Sequence, residues 1–251
     1  MVGTVPFRVS AADEGPVRLL TLERPEKLNA FTAEGYLALT AELAAASSDD
    51  GVAACVLTGS GRAFSAGVDL SAMGRKGGAA ELGRAFDPML AALAEFEKPL
   101  LAAVNGLAVG FGATLLLHCD LVVVDAQATI RLPFAALGTA AEAASSWLLD
   151  RRVGPQRAMW MVLSAEPFGA EEAVATGFAL AASAPGRVVE ETMARAQALA
   201  SHGVPALVAN KRLLRRGWAE QIVGAWEVEK KAMLSLASQV GPIGWSEPPA
   251  D

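Results

Sequence analysis

The chain has 251 residues, of which 53% are hydrophobic and 19% are charged, and its formal net charge is −6. Enough apolar surface is available for a core, so the composition predicts one large domain, or one domain with a helical extension, and excludes an intrinsically disordered chain. The acidic balance excludes a nucleic-acid partner, because phosphate binding requires a basic surface. Arg215-Arg216 and Lys230-Lys231 still offer enough positive charge for the phosphates of a small ligand.

The sequence predicts a cytoplasmic protein. Cys55 and Cys119 lie far apart beside apolar residues, which indicates buried free thiols and neither a disulfide framework nor a metal site. Charged residues precede any long apolar run at the N-terminus, so we expect no signal peptide. Residues 100–117 are uncharged, but they include several glycines and are shorter than the ~20 apolar residues of a membrane helix. We expect a buried strand, a glycine turn and a buried helix there, and no membrane association.

Short Val- and Leu-rich runs alternate with Ala-rich helical stretches, which predicts α/β layering. The predicted strands are 17–22, 54–57, 100–104 and 121–124, and the predicted helices are 32–46, 81–96 and 111–118. From about residue 145 the pattern is nearly all helical, with the longest helices predicted at 187–201 and 218–240. We therefore divide the chain into an α/β core over residues 1–190 and a helical region over 191–251, and we expect residues 246–251 to be loose.

A glycine-rich stretch over residues 59–70 follows a predicted strand. A phosphate loop is excluded because the Gly-Lys-Ser/Thr ending is missing. Residues 63–67 imitate a nucleophile elbow, but a serine hydrolase needs a histidine base. The two histidines, His118 in an apolar helix and His202 at a helix end, occupy positions typical of structural residues. The third interpretation is a turn whose backbone N–H groups face a developing anion, with Asp69 capping the next helix.

A second glycine-rich stretch, residues 105–114, follows a strand and opens an apolar helix. It is not a dinucleotide fingerprint, because Leu115 occupies the place of the third glycine. A helix N-terminus carries free N–H groups and partial positive charge, which favour an oxyanion. Either stretch alone fits an ordinary tight turn equally well. Together they could supply two N–H donors to one oxygen.

Residues 22–31 resemble the "RPEKLNAF" opening of the enoyl-CoA hydratase/isomerase (crotonase) family. Residues 64–70 match the family's "F-x-A-G-x-D-L" element, and residues 105–120 match its "N-G-x-A-x-G-x-G…C-D" element. Residues 163–178 resemble its "L-x-G-x-x-F-x-A-x-E-A-x-x-x-G-L" stretch, with Ala165 in place of the glycine. These motifs occur in the family's order, and the resemblance covers roughly residues 6 to 240.

The resemblance implies a spiral of ββα turns, followed by C-terminal helices that build homotrimers, often paired into hexamers. It implies an acyl-CoA substrate, with coenzyme A as part of that substrate and no separate cofactor or metal. The amides of Val68 and Phe111 are the implied oxyanion donors. The implied substrate-binding residues are Lys27, Leu28, Ala66, Gly67, Asp69, Leu70, Gly110 and Phe134. Lys27 also fits an ordinary surface lysine, and residues 241–245 depart from the family's CoA-contacting tail.

The two glutamates that the family hydratases use are missing from this sequence. Their positions correspond to Thr114 and to Phe134, which follows Pro133. Neither side chain can transfer a proton at neutral pH, whereas the addition of water to a C=C bond benefits from groups that do. Ordinary hydratase activity is therefore not expected.

Glu142 is the one charged residue between Leu132 and Leu149. Residues 137–146 resemble the "L-G-x-x-x-E-G/A-x-S-S" segment of Δ3,Δ2-enoyl-CoA isomerases, whose glutamate is the proton-transfer base. Apolar surroundings should raise the pKa of this carboxyl, which suits a base that works near neutrality. The alternative is a solvated glutamate in the first turn of a helix. The sequence thus favours an isomerase with Glu142 as base over a hydratase, an acyl-CoA hydrolase or an inactive acyl-CoA-binding homologue.

Overall fold

The fold repeats a unit of two short strands followed by helical structure. The computed structural model describes residues 6–240. An opening hairpin of β1 (Arg8–Glu14) and β2 (Val17–Glu23) precedes the repeats. The strand pairs of the repeats are β3 (Ala54–Gly59) with β4 (Ala63–Ser65), β5 (Leu100–Val104) with β6 (Leu107–Val109), and β7 (Leu121–Asp125) with β8 (Thr129–Arg131).

The two strands of each pair belong to two different sheets. The first strands enter a six-stranded sheet of order β1-β2-β3-β5-β7-β10, in which β10 is Ala181–Ser183. The second strands enter a four-stranded sheet of order β4-β6-β8-β9, in which β9 is Phe168–Gly169. Successive first strands pair in parallel, as do successive second strands, so the chain advances as a spiral of ββα turns. The predicted α/β fold class is confirmed.

The helices follow the predicted ones closely. They are α1 (Ala33–Ser48), α2 (Leu70–Met73), α3 (Gly78–Glu95), α4 (Phe111–His118), α5 (Ser145–Val153), α6 (Pro155–Ser164), α7 (Ala170–Ala175), α8 (Val188–Ala200), α9 (Val204–Leu214) and α10 (Trp218–Val240), with a 3₁₀ turn at Pro25–Lys27. The predicted boundary after residue 190 falls inside α8, and the inner face of α8 packs against β3 and β5. The C-terminal helical region is present.

Strands β3 and β5 are buried along their whole length. Their sequences are therefore continuous apolar runs and do not alternate between apolar and polar residues. The uncharged stretch 100–117 forms β5, the short strand β6 and α4, as predicted except that β6 was not expected. Within residues 6–240, no helix combines the length and the apolarity needed to cross a membrane. The tail residues 241–251, including the segment that departs from the family, lie outside the described part.

Candidate active site

A buried side chain, Asn29, holds the first glycine-rich turn. Its Oδ1 accepts a hydrogen bond from the Arg24 amide (2.8 Å), and its Nδ2 donates to the carbonyls of Ser60 (2.9 Å) and Ala63 (2.8 Å). Asn29 has φ 55°, a left-handed conformation that asparagine tolerates better than most residues. The segment around residue 29 is therefore bonded to the turn that carries Val68.

Asp69 closes the same turn and is the N-cap of α2. Its Oδ1 accepts from the amides of Ser71 (2.9 Å) and Ala72 (3.3 Å), while Oδ2 accepts from Nη1 of the buried Arg24 (2.7 Å). Burial opposes ionisation, but hydrogen bonds from Ser71 and Arg24 outweigh it and lower the pKa of Asp69 to about 2. Both oxygens thus hold the turn, and contact between Asp69 and substrate stays a prediction.

The amide of Val68 is directed away from the neighbouring chain segment. Val68 forms a parallel bridge with Phe31, in which the Phe31 amide donates to Gly67 O (2.7 Å) and the Asp69 amide donates to Phe31 O (2.8 Å). Phe31 makes both of these hydrogen bonds with the residues that flank Val68, so the N–H of Val68 points to the other side of its segment. The Val68 N–H is therefore not used by Phe31.

The second glycine-rich turn ends at the first residue of α4, Phe111. Gly110 adopts φ 55° and donates its N–H to Arg131 O (3.0 Å), and its carbonyl accepts from the amides of Ala113 and Thr114 (both 2.9 Å). As the first helical residue, Phe111 carries an N–H for which the helix provides no acceptor. The positive end of the helix dipole lies at this amide.

The two turns are in direct backbone contact. Gly67 has φ +87°, and a Cβ at this position would lie only 2.6 Å from Val109 O and 3.2 Å from Phe111 N. A Cβ at Gly112 would collide with the carbonyl of Ser65. Glycine is therefore required at both positions, and the two turns lie side by side, while the convergence of the Val68 and Phe111 amides on one oxygen stays a prediction. The sequence had linked these turns only as a hypothesis.

The ring of Phe111 is anchored on the far side of its amide. It packs edge-on against Phe31, Tyr36 and Phe86 with centroid distances of 4.9, 5.2 and 5.3 Å. Phe86 in turn packs against Trp226 of α10 at 4.7 Å. Such aromatic pairs add to the stability gained from burial. The side chain of Phe111 thus fixes the start of α4 and leaves the backbone N–H available.

Glu142 lies in the loop before α5 and contacts α4. The hydroxyl of Thr114 donates to Glu142 Oε1 at 2.6 Å, and Thr114 is one helical turn beyond Phe111. Burial raises the pKa of Glu142 to about 8, against the hydrogen bond from Thr114 and with a contribution from the charge of Glu229. Because α5 begins at Ser145 with Ala144 as N-cap, the first-turn alternative for Glu142 is wrong. Its carboxyl instead titrates in the range useful to a general base.

Ser65 and His118, the residues of the hydrolase alternative, are both engaged elsewhere. The buried Ser65 hydroxyl donates to Asn29 O (2.8 Å) and accepts from the Gly67 amide (3.1 Å). The buried His118 Nε2 lies 2.9 Å from Ala143 O, and burial lowers the pKa of His118 to about 4. These contacts give both side chains structural roles in the two loops.

Most of the remaining predicted residues lie beside the first glycine-rich turn, whereas Phe134 lies in the core. Lys27 is exposed at the end of the 3₁₀ turn, and Leu28 O accepts from the Ala66 amide at 2.8 Å, so this group borders the first turn. Leu70, 40% exposed, starts α2 beside it. Phe134 is buried in the core after β8.

The basic run at the C-terminal end of α9, which consists of Lys211, Arg212 and Arg215, forms ion pairs. Lys211 and Arg215 lie 2.7 and 3.0 Å from the carboxylate of Asp120, and Arg212 contacts Glu97. The carbonyls of Lys98 and His118 accept further hydrogen bonds from Lys211 and Arg215. This arrangement connects α9 to the sheet and gives the run a structural role.

The sequence pattern of the enoyl-CoA hydratase/isomerase family matches residues 13–247. The chain belongs to this family. It is 37% identical over 222 residues to 2,3-dehydroadipyl-CoA hydratase of Escherichia coli K12, covering 88% of this chain and 87% of that protein. It is 38% identical over 203 residues to 1,2-epoxyphenylacetyl-CoA isomerase of the same organism, covering 78% and 75%. The crystal structure of an enoyl-CoA hydratase/isomerase from Pseudoalteromonas atlantica T6c superimposes with a TM-score of 0.86 at 33% identity, covering 93% and 92%.

The chain is therefore an enoyl-CoA hydratase/isomerase family enzyme. Thr114, which the resemblance aligns with a hydratase glutamate, donates a hydrogen bond to Glu142, a contact that the sequence did not predict. Sequence reasoning also missed Asn29, whose place in the "RPEKLNAF" motif was the available signal. It missed Glu229 of α10, a carboxylate in line with the apolar residues Ile222, Trp226 and Met233.

Proposed function

We propose that this enzyme shifts the double bond of a 3-enoyl-CoA to the 2-position, with Glu142 as the proton-transfer base. The observation that supports this function best is the contact between Glu142 and Thr114, which places a carboxyl with a pKa of about 8 one helical turn from Phe111. A single base of this kind suffices for an isomerase. The relative named 1,2-epoxyphenylacetyl-CoA isomerase supports an isomerase class within the family.

The reaction needs one proton acceptor and one site for an oxyanion. Ionised Glu142 removes a proton from C2 of the 3-enoyl thioester, and the electron pair passes into a dienolate whose negative charge lies on the thioester oxygen. The N–H groups of Val68 and Phe111 stabilise that oxygen in a site preorganised by the two glycine turns. The carboxylic acid of Glu142 then returns the proton at C4, which yields the 2-enoyl-CoA and regenerates the base.

Coenzyme A enters as part of the substrate, and we propose no separate cofactor. Exposed Lys27 is suited to the CoA phosphates, next to the Leu28–Ala66 pair that borders the oxyanion turn.

We also propose that the enzyme assembles as a homotrimer or hexamer. The exposed apolar residues Met159, Trp160 and Leu163 on α6 support self-association, because such patches mark interaction surfaces. Light scattering of the purified protein tests the assembly.

A side-by-side assay tests the reaction type. The purified protein should isomerise 3-enoyl-CoA faster than it hydrates crotonyl-CoA, because Thr114 and Phe134 replace the hydratase glutamates. The similarity to 2,3-dehydroadipyl-CoA hydratase makes hydration the second candidate. Efficient hydration without isomerisation would refute the proposal, and the absence of turnover with every acyl-CoA would favour a binding protein.

A further inference from the structure

The carboxylate of Glu229, on the C-terminal helix α10, binds the loop that carries Glu142. Glu229 is 3% exposed. Its Oε2 accepts from the Ala144 amide at 2.7 Å, and its Oε1 accepts from the Ser146 amide at 2.8 Å. These two N–H groups belong to the start of α5, where the helix dipole favours a negative charge. One side chain thus satisfies two amides directly after Glu142.

The loop after Glu142 requires external support. Ala143 and Ala144 both have positive φ, 58° and 57°, a left-handed conformation that residues with a Cβ disfavour. Such a conformation persists only when its surroundings impose it. On one side the loop is bonded to His118 of α4, through Ala143 O, and on the other side to Glu229. These two contacts hold the residues that directly follow Glu142.

Glu229 also interrupts the buried face of α10, where an apolar residue would be expected. Ile222 and Trp226 precede it on this face, and Trp226 Nε1 donates to Asp87 Oδ1 on α3 at 2.7 Å. An ionised carboxylate in such a place is unfavourable unless hydrogen bonds compensate for the lost hydration. Here the amides of α5 provide that compensation. A methionine or leucine would fill the same space but could not bind the loop.

We propose that Glu229 is a positioning residue for the catalytic base, acting through the Ala144 and Ser146 amides to hold Glu142 against Thr114. This inference rests on the proposed role of Glu142. It extends the site to α10, whose residues Ile222 and Trp226 also pack in the core. A shift of about 1 Å in a catalytic group can cost on the order of 10²-fold in rate, so support of this kind has a large effect on turnover.

Glu229 acts on the ionisation of Glu142 as well. The groups facing the Glu142 carboxyl are the Thr114 hydroxyl from α4, which lowers its pKa, and the Glu229 charge from α10, which raises it. Tyr36 of α1 lies near enough for the charge of Glu142 to raise the pKa of the phenol, in addition to burial. Glu229 itself is faced by the Ala144 and Ser146 groups of α5, whose hydrogen bonds oppose the rise in its pKa on burial. Removing the Glu229 charge should therefore lower the pKa of Glu142.

The test compares Glu229→Gln and Glu229→Asp with Glu227→Gln in the full-length enzyme. Glu227 is on the same helix, but it is exposed and paired with Lys230 at 2.7 Å, so it provides a matched change of charge. For each variant, kcat and KM for a 3-enoyl-CoA are measured against pH. Infrared titration of the Glu142 carboxyl, assigned by the loss of its band in Glu142→Gln, reports the ionisation of Glu142 independently of turnover.

We expect Glu229→Gln to lower kcat by roughly 10- to 100-fold, with KM changed less than about twofold, and to move the Glu142 titration to lower pH. Glu229→Asp keeps the charge but is too short to reach both amides, so it should lose kcat with a smaller shift in titration. If Glu229→Gln does not fold, the kcat and the Glu142 titration of Glu229→Asp test the inference instead. Wild-type kcat and an unchanged Glu142 titration in these variants, with only a lower melting temperature, would overturn the inference. Full activity of Glu142→Gln would instead overturn the proposed function, while the infrared shift would still establish the link between the two carboxylates.

Discussion

Thr114 Oγ1 lies 2.6 Å from Glu142 Oε1, so a hydroxyl on α4 serves as hydrogen-bond donor to a carboxylate from the loop before α5. The hydroxyl also lies 3.3 Å from Phe111 O, within its own helix. When Glu142 is ionised, the hydroxyl proton is best placed on the carboxylate, because a charged acceptor forms the stronger bond. One oxygen of Glu142 is then fixed and the other is available to a substrate proton.

Replacing Thr114 by Val should reduce the fraction of Glu142 that is ionised at neutral pH without changing the shape of the site. The hydrogen bond lowers the pKa of Glu142, so its loss should move the rise in kcat to higher pH. A hydrogen bond to a charged group contributes about 1.5–3 kcal/mol, so kcat at pH 7 should fall on the order of 10-fold or more. The pH profile of Thr114→Ser is the control, because the hydroxyl is retained. Equal kcat and pH profiles for the Val and Ser variants would rule out the role of the hydroxyl.

Glu142→Gln should lower kcat but raise the melting temperature at alkaline pH. Without a base, kcat should fall by roughly 10²–10⁴, and the wild-type rise of kcat/KM with pH, centred near the pKa of about 8, should disappear. The pKa of Glu142 is raised from 4.5 on folding, so the folded state holds the proton more tightly than the unfolded state does. The resulting stabilisation is present at low pH and is lost as pH rises from about 4.5 through 8. Melting curves should therefore show the Gln variant above the wild type at pH 9, and the reverse order would contradict a raised pKa.

Val68 should matter through its amide and not through its side chain. Val68→Ala should change kcat little, whereas Val68→Pro deletes one N–H donor and should lower kcat by about 10²–10³. Proline also restricts the conformation of Gly67, so an unchanged melting temperature is the required control. Wild-type turnover in a folded Val68→Pro variant would exclude this amide from the oxyanion site.

Asn29→Asp should destabilise the first turn although the two side chains have the same shape. The amide nitrogen donates to the carbonyls of Ser60 and Ala63, and a carboxylate oxygen in its place would face those acceptors as an uncompensated buried charge. We expect a loss of roughly 3–5 kcal/mol in unfolding free energy at pH 7, partly recovered at acidic pH, in denaturant titrations. Ser60→Ala is the comparison, since the Ser60 hydroxyl makes only a 3.3 Å contact with Asn29. A similar loss in both variants would show that Asn29 has no special role.

Lys27→Ala should raise KM for acyl-CoA while leaving kcat nearly unchanged. Lys27 is exposed, and its proposed partner is the phosphate portion of CoA, far from the reacting carbon atoms. The increase in KM should shrink at high ionic strength, because salt screens exposed charges. Lys76→Ala, on an exposed loop before α3, provides a comparison of equal charge. Identical KM values for wild type and Lys27→Ala at low salt would remove Lys27 from the binding site.

Local signals in the sequence account for the elements that carry the proposed oxyanion donors, Val68 and Phe111. Glycine punctuation before an uninterrupted apolar run predicted a helix at Phe111, and α4 begins there. The strands β4, β6 and β8 have three residues each, too few for an alternating pattern, so the second sheet could not be predicted from periodicity. The Thr114–Glu142 contact joins two segments whose relative placement depends on that second sheet and on α5.

Glu229 shows a second limit of prediction from the sequence. It contacts residues more than 80 positions earlier in the chain, and no local pattern encodes that pairing. Its position in the apolar stripe of α10 signals a buried carboxylate but not its partner. The resemblance to the family predicted a role for Glu142, whereas only the three-dimensional structure connects Glu142 to α10.

The contact between Glu229 and the Ala144 and Ser146 amides also sets the order in which the site can mature during synthesis. The glycine turns, α4 and the Glu142 segment all emerge well before α10, and domains generally begin to fold from the N-terminus. The loop beside the base can gain its final two hydrogen bonds only after nearly the whole chain has been made. A nascent or truncated chain that ends before residue 229 would thus contain the glycine turns and Glu142 but lack two of the hydrogen bonds that hold the loop after Glu142.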